Sequence, residues 1–439
     1  MYAQRKANLF VLIVVLSLIL TQSITTRSQG EYQVFLPMLP NYSVAPSVGE
    51  LDPTFDGDGI VVSGPSSADG VVLQPDGKIL VAGEDFLLRF NPDGSQDTSF
   101  NAGVTVPPFS SYDLMLQDDG KIVRGGVIYI NSITDFALVR HNPDGSLDTS
   151  FDGDGWLTTD INKGDDYGRS VTLQPDGQIL LGGTEYPDIY QSDFALARYN
   201  PDGSLDPNFG TNGIVLTDFG FYEYLESLAL QSDGKILAVG NMKTIYDDHD
   251  FALARYNPDG SLDTSFDGDG LVTTDFFGDQ DIARDVLLQP DGKIVVAGEA
   301  DKYGVAVYEP SFALARYNPD GSLDTSFGSE SGGDGKVATY CTGYGGHGMA
   351  LALQPDGKIL LAGNAIIALG YMGMETHEIV LLRYNPDGSL DTSFDGDGWL
   401  TFGFDGESVS ANAIALQPDG KIVLAGSSTG DNLVLLRFK

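Results

Sequence analysis

The chain has 439 residues and a formal net charge of −38, from 24 Lys and Arg against 62 Asp and Glu. A field of that sign repels phosphate backbones and excludes nucleic acid as a partner. A single cysteine, Cys341, excludes a disulfide framework and a Cys-based zinc cluster. The 55 glycines call for many tight turns between short strands.

Residues 1–23 read as a signal peptide. Arg5 and Lys6 precede the apolar run Leu9–Leu20, which is shorter than the ~20 residues of a membrane span. An uncleaved N-terminal anchor is the alternative. Residues 24–50 mix Ser, Thr, Pro and Asn and read as a linker. No later segment is long and apolar enough to span a membrane, so a secreted or cell-surface location is expected.

From Leu51 to Lys439 one unit is written seven times. An Asp-Gly turn recurs in two settings. In the first, an apolar strand runs into Q-P-D-G-K and out into a second strand; its aspartates are Asp76, Asp119, Asp176, Asp233, Asp291, Asp356 and Asp419. In the second, F-A-L-A-R-Y runs into N-P-D-G-S; its aspartates are Asp93, Asp144, Asp202, Asp259, Asp320 and Asp387. The last unit stops short of this second turn, and the missing L-D-x-x-F-D-G-D-G stands at Leu51–Gly59, ahead of the first. Each unit reads as four strands, with the fourth in either LDTSF or GxVTT. Pro presets φ in these turns and Gly accepts positive φ. The expected fold is all-β: a seven-bladed β-propeller of four-stranded antiparallel blades, its ring closed by the N-terminal strand completing the last blade.

The pattern LQPDGKILVAG…FALARYNPDGSLDTSFDGDG resembles the delta-60 repeat of bacterial β-propellers, over Leu51–Lys439. The resemblance implies a propeller of secreted or surface proteins and implies no catalytic residue. The sequence departs from the pattern between Gly83 and Phe86, where a loop is lacking, and around Gly328–Gly348.

Most repeat-fixed charges read as structural. An Arg within each FALAR strand needs a partner. An LDxxF aspartate recurs beside each one: Arg89 with Asp97, Arg140 with Asp148, Arg198 with Asp206, Arg255 with Asp263, Arg316 with Asp324, Arg383 with Asp391, and Arg437 with Asp52 across the closure.

Length varies most between the second and third strands, where the Asp-to-Asp step runs from 17 to 31 residues. These loops share one face with the connections between units, and they carry Tyr186, Tyr190, Tyr246, Asp248, Tyr303, Tyr308 and Tyr371. Tyr with acids suits sugar or peptide recognition. The expected function is therefore a binding scaffold for an extracellular glycan or protein on that face, acting as a monomer and needing no cofactor. A calcium-stabilised structural or adhesive protein is the alternative. Its candidate calcium ligands are the D-G-D-G pairs Asp56 and Asp58, Asp152 and Asp154, Asp267 and Asp269, and Asp395 and Asp397, which Asx turns explain as well. A channel-sited hydrolase or lyase would draw on Arg169, Glu226, Arg284 and Asp285, with Glu226 and Asp285 as acid and base. His347, near Cys341, is the most individual residue. No catalytic signature is complete, and the chain is expected not to be an enzyme.

Overall fold

A computed structural model describes residues 50–439 apart from 66, 102–108, 131–132, 189–190, 245–247, 302–309, 329–332, 342–344, 370–374, 405–406 and 430–431. The expected signal peptide lies outside the described residues, as does the linker except for Glu50. Among the described residues no helix is long and apolar enough to cross a membrane.

One repeat shows how the sequence makes the sheet. Asp165–Leu173, Ile179–Asp188, Gln191–Tyr199 and Ile214–Thr217 pair antiparallel in that order. The first turn is a three-residue hairpin loop. Pro175 enters it, Gly177 leaves it at φ 87°, and the Gln174 amide closes it on the Gln178 carbonyl at 2.8 Å. Of the two candidates for the fourth strand, GxVTT forms the ladder: Ala195 opposes Leu216. LDTSF instead makes a single bridge, Tyr199 to Leu205, and then a turn.

The FALARY tyrosines fasten neighbouring repeats together. Tyr199, Tyr256, Tyr317 and Tyr384 are fully buried. Their hydroxyls meet Thr159, Thr217, Thr274 and Thr339 of the preceding repeat's fourth strand at 2.7–2.9 Å. A buried phenol left unbonded would cost the desolvation of its hydroxyl, so the threonine that ends that strand satisfies the neighbour's core.

The sheets correct the expected blade count. Hydrogen bonding does not divide the described strands into seven separate four-stranded blades; it gives six sheets, five of three or four strands and one of eight. The large sheet arises because Gln191–Tyr199 and Tyr222–Leu230 meet through one parallel pair, Ser192 with Tyr222. The three-stranded sheet joins Ala68–Leu73, Ile79–Gly83 and Phe86–Phe90, and its GxVTT segment falls largely on residues outside the description. A sequence repeat sets strand order within a unit but not the bonding between units.

The first strands of successive units pack side by side, and Val409–Leu416 packs against Ala68–Leu73 to close the circle. This is an all-β propeller. Ile60–Pro65 adds antiparallel to Asn432–Phe438, with Ile60 opposite Leu436, so the start of the repeat array completes its last sheet. The shared core there combines Phe55, Val61 and Phe90 with Val423, Leu433 and Leu435.

All seven Arg–Asp pairs form, with Nε donating to Oδ2 at 2.7–2.9 Å. Each guanidinium also lies 4.4–4.6 Å from the centroid of the LDxxF ring, as Arg255 does over Phe266 and Arg437 over Phe55. Most donate Nη1 to the proline carbonyl of the next N-P-D-G turn, such as Arg89 to Pro143 at 2.8 Å. The turn lysines complete the cluster: Lys293 reaches Asp324 at 2.8 Å, and where Gln178 replaces Lys it reaches Asp206 at 2.8 Å. Each carboxylate is thus paired and hydrogen-bonded, the condition for burying its charge.

Candidate functional site: the channel mouth

Every first strand carries a one-residue bulge where it pairs with the second, for instance between Leu225 and Ser227. The extra residues are Asp69, Tyr112, Arg169, Glu226, Arg284, Met349 and Asn412, and all of them line one central cavity of ≈ 400 Å³. A bulge re-aims a side chain that regular pleating would turn elsewhere. The glycine of each KILVAG strand makes room for it: a Cβ on Gly240 would stand 1.8 Å from the Tyr224 carbonyl oxygen, and one on Gly298 1.9 Å from that of Ile282.

Arg169, Glu226, Arg284 and Asp285 all line this cavity, but in different roles. Asp285 is a strand tie. Its Oδ1 accepts from Ser227 Oγ at 3.0 Å and its Oδ2 from the Leu351 amide at 2.7 Å. Asp113 ties one neighbour, its Oδ2 accepting from Ser170 Oγ at 3.1 Å and from the Val171 amide at 2.9 Å. Burial pushes both carboxyls up to about 6. Glu226 is half-exposed and pairs with Arg284 Nη1 at 3.3 Å. Arg284 Nη2 reaches buried Glu299 at 3.1 Å, and Glu299 Oε2 also contacts His347 Nδ1. Burial, followed by the charges of His377 and Arg284, pushes His347 down to about 4. With a proton on Nδ1 facing Glu299, a neutral ring would offer Nε2 as an acceptor.

An aromatic run adjoins this ring of charge. Tyr167 meets Tyr186 edge-on at 5.5 Å, Tyr186 meets Tyr224 at 6.4 Å, and Tyr224 stacks on His249 at 6.2 Å. Tyr112 carries the Arg169 guanidinium 4.5 Å from its ring centroid. Tyr167, Tyr186 and Tyr224 are half-buried, each with part of its surface open.

Of the loop residues expected to bind a ligand, Tyr186 sits in this run. Asp248 is half-buried, and burial with the charges of Asp275 and Asp279 pushes its carboxyl up. Tyr190, Tyr246, Tyr303, Tyr308 and Tyr371 lie outside the described residues. Asp69, Tyr112, Tyr167, Tyr224, Met349 and Asn412 were missed. For Asp69, Tyr112, Met349 and Asn412 the signal was a register: each bulge residue stands five positions before the glutamine that opens the Q-x-D-G turn. Cys341 packs partly buried against an apolar cluster, and burial pushes its thiol up to about 12, which disfavours the thiolate.

The D-G-D-G aspartates occupy turns. Asp56, Asp152, Asp267 and Asp395 sit at φ 48–50°, and Asp58, Asp154, Asp269 and Asp397 each accept a backbone amide two residues on. Carboxylates converge elsewhere, in three sets: Asp135, Asp160 and Asp166; Asp193, Asp218 and Glu223; and Asp250, Asp275 and Asp281. In each set one ligand oxygen per residue lies within 4.8 Å of the others. Burial first, then neighbouring carboxylates, pushes Asp166 and Glu223 up to about 7 and Asp281 to about 8.

The chain belongs to the family described as a domain of unknown function (DUF5122) β-propeller, which matches residues 74–100, 117–151, 174–209, 231–266, 289–327, 354–394 and 417–439. No curated protein matches the chain significantly. Among solved structures it is similar to a protein of unknown function from Dyadobacter fermentans, at 13% identity and TM-score 0.43, covering 87% of this chain and 97% of that one. It is similar to an ulvan lyase of polysaccharide lyase family PL25, at 12% and 0.49, covering 85% and 95%. It is also similar to a gluconolactonase from Xanthomonas campestris, at 12% and 0.37, covering 91% and 99%. Such likenesses are of fold alone. Enzymes nonetheless stand among these propellers, so the expectation that this chain is not an enzyme is withdrawn.

Proposed function

We propose that this chain is a carbohydrate-binding propeller whose ligand lies over the channel mouth. The run Tyr167–Tyr186–Tyr224–His249 carries the reading. Tyrosines supply rigid apolar area with a polar tip at little entropic cost, which suits the faces and hydroxyls of sugars. Arg169, Glu226 and Arg284 stand alongside to hydrogen-bond hydroxyl or carboxylate groups. The apolar run at Leu9–Leu20 supports action outside the cell, where such polymers are met. The test is binding of the secreted protein to immobilised neutral and uronic-acid polysaccharides. The double variant Tyr186→Ala, Tyr224→Ala should lose saturable binding while keeping its melting temperature; unchanged binding would sink the reading.

One contact favours a second reading, turnover of that same ligand. His347 held by Glu299, next to Arg284, has the parts of a general base beside a carboxylate-binding cation. Its test is the release of new chain ends from a bound polysaccharide, abolished in His347→Asn with binding retained. Binding without release of ends in the parent protein would reject it.

A further inference from the structure

We propose that the three carboxylate triads are binding sites for a hard divalent cation of the calcium class, one at each of three consecutive junctions between repeats. This stands apart from the channel and from the D-G-D-G turns. The triads are built alike. The first acid precedes the FAL of the third strand: Asp135, Asp193 and Asp250. The second follows the fourth strand: Asp160, Asp218 and Asp275. The third lies at the start of the next unit's first strand: Asp166, Glu223 and Asp281.

The third acid points to a ligand. Asp166, Glu223 and Asp281 are each 0% exposed. One oxygen of each accepts a backbone amide, from Ile161 at 2.8 Å, Phe221 at 3.0 Å and Phe276 at 2.5 Å. The other oxygen of each, Asp166 Oδ1, Glu223 Oε2 and Asp281 Oδ1, is buried with no hydrogen-bond partner. A carboxylate oxygen cut off from water and protein alike is rare and costly, and three at equivalent positions are not an accident of one loop. A cation among the three acids would satisfy it. The donors are all oxygen, which selects a hard ion over zinc or copper, and open positions remain for carbonyls and water.

Two of the other junctions serve as an internal comparison. After Lys336–Thr339 the three positions hold Ser311, Tyr340 and Gly346, and after Trp399–Phe402 they hold Glu378, Gly403 and Val409. The middle acid and the buried acid are absent together at both. Single acids scattered over a solvated face have no reason to disappear as a set.

The experiment is calorimetric titration of the full metal-stripped chain with calcium chloride, alongside thermal unfolding in calcium and in chelator. The expected result is three sites per chain and a calcium-dependent rise in melting temperature. Asp166→Asn, Glu223→Gln and Asp281→Asn should each remove one site. Each should also melt higher than the parent in chelator, because a neutral amide replaces a buried carboxylate. Asp275→Asn, at an exposed position, should remove the same site as Asp281→Asn without touching the core. The proposal is overturned if calcium gives no saturable heat, if these variants leave the stoichiometry unchanged, or if Asp58→Asn and its equivalents abolish binding instead.

Discussion

Arg437 holds Asp52 across 385 residues of chain, with Nε donating to Oδ2 at 2.9 Å and Nη2 lying 2.8 Å from the same oxygen. Six other pairs of this kind lie within one unit each. This one joins the last strand to the segment preceding the first, and its carboxylate is 2% exposed. Removing one partner of a buried pair leaves an uncompensated charge, at about 3–5 kcal/mol. Asp52→Ala should lower the melting temperature by that equivalent, measured by calorimetry. Because the contact also closes the circle, its effect should exceed that of Asp391→Ala, whose Arg383 is more exposed. Equal shifts would show that closure contributes nothing extra.

Acid should unfold the protein through the same clusters. Burial alone would raise the Asp52 carboxyl, but hydrogen bonds from Thr54 and Lys421 and the charge of Arg437 hold it well below the ordinary 3.8. For Asp97, Asp148, Asp263, Asp324 and Asp391 the balance falls the same way. A group with a depressed folded pKa stabilises fully above its unfolded value and loses that contribution as pH falls through the folded one. Melting temperature attributable to these groups should therefore be flat above about pH 5 and fall steeply below about pH 4. Flat stability down to pH 2 would contradict the pairing.

Substituting the KILVAG glycines should perturb the channel from behind. A Cβ on Gly240 would meet the Tyr224 carbonyl oxygen at 1.8 Å and Leu225 Cα at 2.9 Å, both backbone. Gly240→Ala must push the bulged strand away, at about 1–3 kcal/mol, and move Tyr224 and Glu226 with it. Lowered stability together with weakened polysaccharide binding is expected. A fully stable variant would mean the two strands are more loosely coupled than their register implies.

Within the ring of charge, Arg284 has the most contacts to lose. Arg284→Ala frees Glu226 and leaves buried Glu299 without its cation. Affinity for a uronic-acid polymer should fall about tenfold or more, equivalent to roughly 1.4 kcal/mol, while affinity for a neutral polymer changes less. A parallel loss for both polymers would place Arg284 in support of the wall and outside ligand contact.

The order of strands, the turn chemistry and the Arg–Asp pairs were legible because each is local or recurs at a fixed offset. Gly177 and Pro175 act within one hairpin, and Arg255 and Asp263 stand eight residues apart. The channel was half legible. Arg169, Glu226 and Arg284 are conspicuous charges at strand positions, whereas Tyr112, Met349 and Asn412 look like ordinary strand residues until the bulge aims them inward. The triads were overlooked for the D-G-D-G turns, which place acids close in sequence. In those turns a neighbouring amide already occupies one aspartate, as Leu271 does for Asp269. Asp250, Asp275 and Asp281 come from two units and meet only when these pack. The number of separate sheets was not legible, since one parallel contact, Ser192 with Tyr222, merges two sets of strands.

The pairing of Ile60–Pro65 with Asn432–Phe438 also sets a clock. Ile60–Pro65, the first strand among the described residues to leave the ribosome, must wait for the last before it has a neighbour to bond. At about 5–20 residues per second that delay is tens of seconds. Meanwhile Asp52 lacks its cation and the exposed edge of Ile60–Pro65 can template pairing with another chain. A message truncated anywhere before codon 432 would yield a product that never loses this edge, and so a species marked for aggregation or proteolysis whatever the quality of its finished repeats.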